Sequence, residues 1–277
     1  MRPGMYQQAE TVTILGVRHL IGAAEAPTIT NSVAGPIVKL AFAADVTLEN
    51  IKVSGATSGA AIGNGVECPM GTNATIRLVR SNLTGNAAAG LKAAGCTFEA
   101  TESVFSNNAK GISTIDCKGV VNRSVFTGNM SQGLVLDAGL YAIRNSFVFR
   151  NGGHGIEIFP NVPGNVVELN TIVDNAIGVG CISDGTSTGA FANNIIVRNA
   201  MNVEAEPSCT YPGSIILGND VSTLKFKSPD VAPFDYHITA GSIAVDQATS
   251  ASMAEEDFDG EARPNGPARD VGADELH

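Results

Sequence analysis

Few side chains in this sequence are of a kind that moves protons or binds ions, and they are scattered. Asp137, His154 and Glu157 offer two carboxylates and an imidazole, groups that take and return protons in sugar chemistry, and are the candidate catalytic residues. Lys92, Tyr141 and Arg144 supply donors for a substrate's hydroxyl or carboxylate groups and are the candidate binding residues. Further along, Asp257, Asp259 and Glu261 set hard oxygen donors at alternate positions. That pattern suits calcium as a cofactor, although it falls short of a full EF-hand loop. Asp137 and His154 are 17 residues apart, so they act together only if the fold stacks their segments.

The elements that would stack them are written as an internal repeat. Leu83-Thr84-Gly85-Asn86, Phe105-Ser106-Asn107-Asn108, Phe126-Thr127-Gly128-Asn129, Val148-Phe149-Arg150-Asn151, Ile172-Val173-Asp174-Asn175 and Ile196-Val197-Arg198-Asn199 share one phrase. Their final asparagines are spaced 22, 21, 22, 24 and 24 residues apart. Shortly after each asparagine a small residue precedes an aliphatic one, as in Gly90-Leu91, Gly111-Ile112, Gly133-Leu134 and Gly155-Ile156, and a second strand starts there. The short period, the alternating β-branched and aromatic residues and the lack of an amphipathic helix predict an all-β protein. The expected architecture is a right-handed parallel β-helix built of three-strand coils of about 22 residues.

One coil cannot bury its apolar face, but stacking aligns Leu83, Phe105, Phe126, Val148, Ile172 and Ile196 into an internal column. Asparagine is expected at the corner in the left-handed backbone conformation, its amide bonded to the equivalent residue one layer away. The same register sets Arg80, Glu102 and Arg123 in one outer column and Arg150, Asp174 and Arg198 in another. Both alternate in sign and read as solvated ladders. Lys92, Ser113, Val135 and Glu157 form an outward row, with Asp137 two residues beyond Val135 and His154 just before its strand. At about 5 Å per layer, Asp137, His154 and Glu157 would reach one sugar unit.

The 277 residues carry 17 basic against 27 acidic side chains, a net charge of −10. That balance argues against nucleic acid as a partner and repels a polyanion unless a bound cation reverses the local field. There is no apolar run of about 18 residues to span a bilayer, and Met1-Arg2-Pro3-Gly4-Met5-Tyr6 lacks the apolar stretch of a secretory signal. Cys68, Cys96, Cys117, Cys181 and Cys209 form no CxxC pair and have no histidine at zinc spacing. Cys96 and Cys117 lie 21 residues apart, one repeat, so they are either a disulfide between neighbouring coils or buried thiols. Cys181 and Cys209 pair likewise, leaving Cys68 odd, and two bridges would indicate an oxidising compartment. Phosphate-loop, nucleophile-elbow and H-E-x-x-H motifs are missing. A monomer is expected.

Arg2-Pro3-Gly4-Met5-Tyr6, followed by Thr11-Val12-Thr13-Ile14 and Leu20-Ile21-Gly22-Ala23, resembles the first coil of secreted β-helix proteins of the pectate-lyase-like superfamily. The middle is similar to that superfamily's stacked repeats. Asp257-Phe258-Asp259-Gly260-Glu261-Ala262-Arg263-Pro264 with Asp270-Val271-Gly272-Ala273-Asp274-Glu275 resembles the C-terminal segment of exported bacterial β-helix proteins, which closes the solenoid, often ahead of an anchor. The resemblance implies a β-helix over residues 1–235 and a cap over 236–277 packed on the solenoid end, where strand edges need cover. It also implies an extracellular or cell-envelope location and polysaccharide binding along an outer sheet, with lyase or epimerase chemistry at Asp137, His154 and Glu157. Epimerases of the superfamily carry Asp and His in an Asp-Pro-His phrase, which this sequence lacks. The alternative is a non-catalytic structural or adhesion module whose rigid rod is itself the function, and the choice between enzyme and module stays open.

Overall fold

The computed structural model describes residues 1–31, 33–57, 62–183, 189–204, 209–249, 252 and 254–277. It is a parallel β-helix with three faces. The first face stacks ten parallel strands, from Met5–Gln8 to Ile215–Leu217. Each of its strands in the repeat is three residues long, so only the central side chain points inward. Leu83, Phe105, Phe126, Val148, Ile172 and Ile196 pair in register and are fully buried, as the repeat predicts. Phe105 and Phe126 stack with ring centroids 4.8 Å apart, the spacing of the layers themselves. The second and third faces form one hydrogen-bonded sheet, because Lys110–Asn122 and Leu134–Arg144 run unbroken around their shared corner.

Two buried ladders flank the first face. In the asparagine ladder each residue donates from its backbone N and its Nδ2 to Oδ1 of the next, from Asn86 through Asn108, Asn129, Asn151 and Asn175 to Asn199. These distances run from 2.8 to 3.2 Å. A second ladder, not read from the sequence, follows Ser81, Ser103, Ser124, Ser146, Asn170, Asn194 and Ser214.

The expected left-handed asparagines are corrected. The left-handed conformation falls on the residue before each ladder member: Gly85, Asn107, Gly128, Arg150, Asp174 and Arg198 in one row, Arg80, Glu102, Arg123, Asn145, Leu169 and Asn193 in the other. A ladder side chain must point along the stack, so the turn that aims it sits one residue upstream. That conformation costs roughly 1–2 kcal/mol for a non-glycine residue, and the two ladder bonds it sets up contribute about 1 kcal/mol each. The turn residues point outward, which is why the charged columns stand there. Arg80 and Arg123 both reach Glu102, at 4.0 and 3.5 Å, and Arg198 meets Asp174 at 2.5 Å. Arg150 instead lies 3.9 Å over the Phe234 ring.

The disulfide expectation is borne out at Cys181–Cys209 and corrected at the other pair. Cys96 bonds Cys68, and Cys117 is a buried free thiol. Cys117 Sγ accepts the backbone N–H of Cys96 at 3.5 Å, as a ladder residue accepts from the coil before it, while the Cys96 sulfur reaches back to Cys68.

Beyond the last coil the chain forms a short 3₁₀ turn, Ser222–Leu224, and an antiparallel pair, Phe226–Ser228 with Asp235–Ile238. Leu224, Tyr236, Ile238, Val271 and Ala273 pack on the outward side chains Phe147, Val173, Ile195 and Val197 of the first face. The tail therefore packs along the flank of the first face. Ile216, which continues the internal column above Ile196, remains 38% exposed. Phe147, Val173, Ile195 and Val197 on the outer side of the first face are apolar, and covering them removes that surface from water.

Candidate functional site

The outward column of the second face runs Thr13, Lys39, Glu67, Lys92, Ser113, Val135, Glu157 and Gly180, each in register with the next. Glu204 follows it, because Val203 pairs with Val179. His154 fills the gap at Gly180. Its Nδ1 lies 3.6 Å from Glu157 Oε2 and its Nε2 lies 3.3 Å from Glu204 Oε2, so the imidazole bridges two carboxylates across two layers. A Cβ at Gly180 would lie 2.6 Å from His154 Cδ2 and 2.9 Å from Glu204 Oε2, so only glycine leaves room for this arrangement. Gln132 donates to Glu157 Oε2 at 2.8 Å.

His154 and Glu157 are thus brought together, while Asp137 stands apart. It pairs with Phe159, one layer away and two residues along the strand from Glu157, which is roughly 8 Å at the usual strand spacings. Its neighbours in that second outward column, Ile115 and Phe159, are 43% and 49% exposed. Lys92 is three layers from Glu157, roughly 14 Å. Glu204 was missed because the row meets Gly180 after Glu157. Continuing the register through the glycine would have found it.

The other two binding candidates stand away from this column. Tyr141 is buried: its hydroxyl faces the carbonyls of Asp137 and Ala138 at 3.0 and 2.5 Å and the Thr114 hydroxyl at 2.9 Å. Burial pushes its pKa up to about 12. Val135 and Asp137 face outward, but the corner at Ala138 and Gly139, both with positive φ, inverts the alternation and turns Tyr141 inward. Arg144 lies on the third face, where its Nε donates to the buried Glu168 at 2.6 Å.

On the flank, Asp257, Asp259 and Glu261 come together with their donor atoms within 4.8 Å of one another. Asp257 is fully buried, and its two oxygens accept the backbone N–H groups of Glu261 and Glu275 at 2.8 and 3.1 Å. Asp259 also belongs to a second group with His237 and Asp274, within the same 4.8 Å limit. Burial pushes Asp274 up to about 7. Burial opposes the charged form of His237, but the Asp235 hydrogen bond and the carboxylates of Asp274 and Asp259 outweigh it and raise its pKa. Nothing in the sequence marked His237; it lies 22 residues before Asp259 and meets it only where the later tail folds back onto the hairpin strand Asp235–Ile238.

Residues 22–216 match the protein family described as Periplasmic copper-binding protein (NosD). The chain belongs to this family. Among solved structures, the NosD-family chain is similar to the crystal structure of pectate lyase Pel9A, with a TM-score of 0.72 and 16% identity. The match covers 100% of this chain and 87% of that one, and at this identity it is a likeness of fold. The sequences of curated proteins give no match. Two disulfides agree with the periplasmic description in pointing to an exported protein. Copper takes imidazole nitrogen readily, and its cupric form also takes oxygen donors. Among the described residues, the one grouping of candidate ligands that contains a histidine is His237 with Asp259 and Asp274, a set that fits copper(II).

Proposed function

We propose that this chain is an exported protein of the cell envelope that binds an extended polysaccharide along its second face without cleaving it. The observation that carries this reading is the side-by-side run of two outward columns. One is polar apart from Val135 and Gly180, with Lys92, Ser113, Glu157 and Glu204; the other sets apolar Ile115 and Phe159 on either side of Asp137. Sugars present apolar C–H faces edged by hydroxyls, so a flat strip alternating apolar contact with hydrogen-bonding groups matches them. Lyase or epimerase action needs a base free to take a carbon-bound proton. His154 has each nitrogen facing a carboxylate, at 3.6 and 3.3 Å, and its buried Nε2 has no hydrogen-bond partner among the described residues, a placement that suits an ion pair inside the face better than attack on a bound sugar. Affinity electrophoresis through gels containing neutral, acidic and amino polysaccharides tests the reading. Retardation by at least one polymer is expected, weakened about fivefold by Phe159→Ala, the equivalent of ~1 kcal/mol for one aromatic contact. Retardation by none would sink binding, and new absorbance from unsaturated sugar products would replace it with lyase chemistry.

A second reading, copper binding in the periplasm, follows the family's description, and the His237 group, which lies beyond the matched residues 22–216, offers ligands for it. Bound there, copper(II) would be held by one imidazole nitrogen and two carboxylates and would supply a Lewis-acidic, redox-active centre.

A further inference from the structure

His237 lines an aromatic cleft of about 520 Å³ with Phe147, Phe149, Phe234, Phe258 and Asp235. Asp235 Oδ1 lies 2.5 Å from its Nδ1, so that nitrogen donates and Nε2 is left to face the interior of the group. Phe147 and Phe258 meet the ring edge-on, with centroids 4.9 and 5.7 Å away, and fix its plane. Nε2 is buried and has no hydrogen-bond partner among the described residues, although Asp259 Oδ2 is 3.1 Å away. A contact of that length that is not a hydrogen bond fits two ligands of one ion. With bonds of about 2.0–2.2 Å, neighbouring ligand atoms stand roughly 3.0–3.5 Å apart. Asp274 completes the set and is itself buried, its Oδ2 held by the Ile238 N–H at 2.7 Å.

We propose that His237 Nε2, Asp259 and Asp274 form a divalent transition-metal site on the flank of the solenoid, with Asp235 orienting the imidazole and the aromatic cleft giving access. Two carboxylates balance the ion's two charges, and a carboxylate behind a ligating histidine is the common means of fixing the ring and raising its basicity. The mixed nitrogen and oxygen set accepts zinc(II), nickel(II) and copper(II), of which copper(II) binds tightest. The site owes nothing to polysaccharide binding on the second face, and it gives the copper reading its residues. Asp257 differs from the three ligands because both of its oxygens hold backbone N–H groups of the tail.

The test is calorimetric titration of the chelator-stripped full chain with Cu²⁺, Zn²⁺ and Ca²⁺ separately, together with electron paramagnetic resonance of the copper form. We expect one Cu²⁺ per chain with a single coordinated nitrogen, weaker Zn²⁺ binding, and an affinity at least tenfold lower in His237→Gln and in Asp259→Asn. Asp259 has a side chain 49% exposed, so Asp259→Asn leaves the metal-free melting temperature unchanged and separates ligand loss from unfolding. His154→Gln leaves metal binding intact. No saturable Cu²⁺ or Zn²⁺ binding, or binding indifferent to Asp259→Asn, would overturn the site. So would loss of binding in His154→Gln, which would move the ion to the second face. Calcium binding abolished by Glu261→Gln but kept in His237→Gln would replace it with the calcium loop.

Discussion

The coils and the tail bury polar groups in opposite ways. In the coils the buried groups are mostly neutral, asparagine amides and serine hydroxyls, and along the asparagine ladder each finds its partner one layer away in the same geometry. In the tail, Asp257, Arg263, Asp270, Asp274 and Glu275 are all buried within one non-repeating segment. Arg263 donates to Glu275 Oε2 and to the carbonyls of Asp270 and Gly272, while Asp270 accepts the N–H groups of Asp246 and Leu276. A repeat spreads one satisfied bond over every layer, so no single layer is marked for chemistry. The tail concentrates four buried acids against one buried arginine, and where negative charge is left over a cation adds stability.

The largest effect that would break this contrast is at Arg263. Arg263→Ala leaves Glu275 and Asp270 without their buried cation and is expected to cost about 3–5 kcal/mol. Urea denaturation followed by tyrosine fluorescence should show the tail unfolding before the coils; a cost below ~1 kcal/mol would mean the charges are solvated. Next is the middle of the ladder. Asn129→Ala strips a partner from the Asn108 backbone N, the Asn108 side-chain amide and the Phe105 carbonyl, and is expected to lower stability by about 2–3 kcal/mol in the same measurement. If it proves neutral, the ladder is an ornament of the repeat. Smallest is Tyr141→Phe, which removes one buried hydroxyl and should cost about 1 kcal/mol without touching polymer binding.

Tyr141 also carries a pH signature, from a hydroxyl that is neutral in the folded chain. Its pKa is about 12 in place of the ordinary 10, because it is buried and sits near Cys117 and Asp137. A raised folded pKa means that its contribution to stability is complete below pH 10 and is lost as the pH climbs through 12. Alkaline unfolding of the wild type should therefore be steeper over that interval than that of Tyr141→Phe.

Periodicity made the coils legible. Six asparagines spaced 21 to 24 residues apart set the register, and with it the internal column, the charged columns and the row that holds Glu157. Reading failed wherever a corner changed the alternation. Ala138 and Gly139 inverted it ahead of Tyr141, and the left-handed turn belonged to Arg150 and its counterparts, not to the asparagines they precede. Cys96 pairs against the expected direction because ladder side chains lean toward the preceding coil, a polarity that spacing alone does not carry. The tail has no period, so the meeting of His237 on the hairpin with Asp259 and Asp274 after it left no trace in residue intervals.

A polymer bound along the second face shields that face's strands from solvent. Hydrogen–deuterium exchange of the full chain, with and without the polysaccharide that retards it most, tests this directly. Added protection is predicted in the second-face strands Ala89–Ala94, His154–Asn161 and Met201–Val203, together with 112–115 and 134–137, while the flank around Asp235–Ile238 stays unchanged. Protection at the flank cleft with none on the second face would contradict the account.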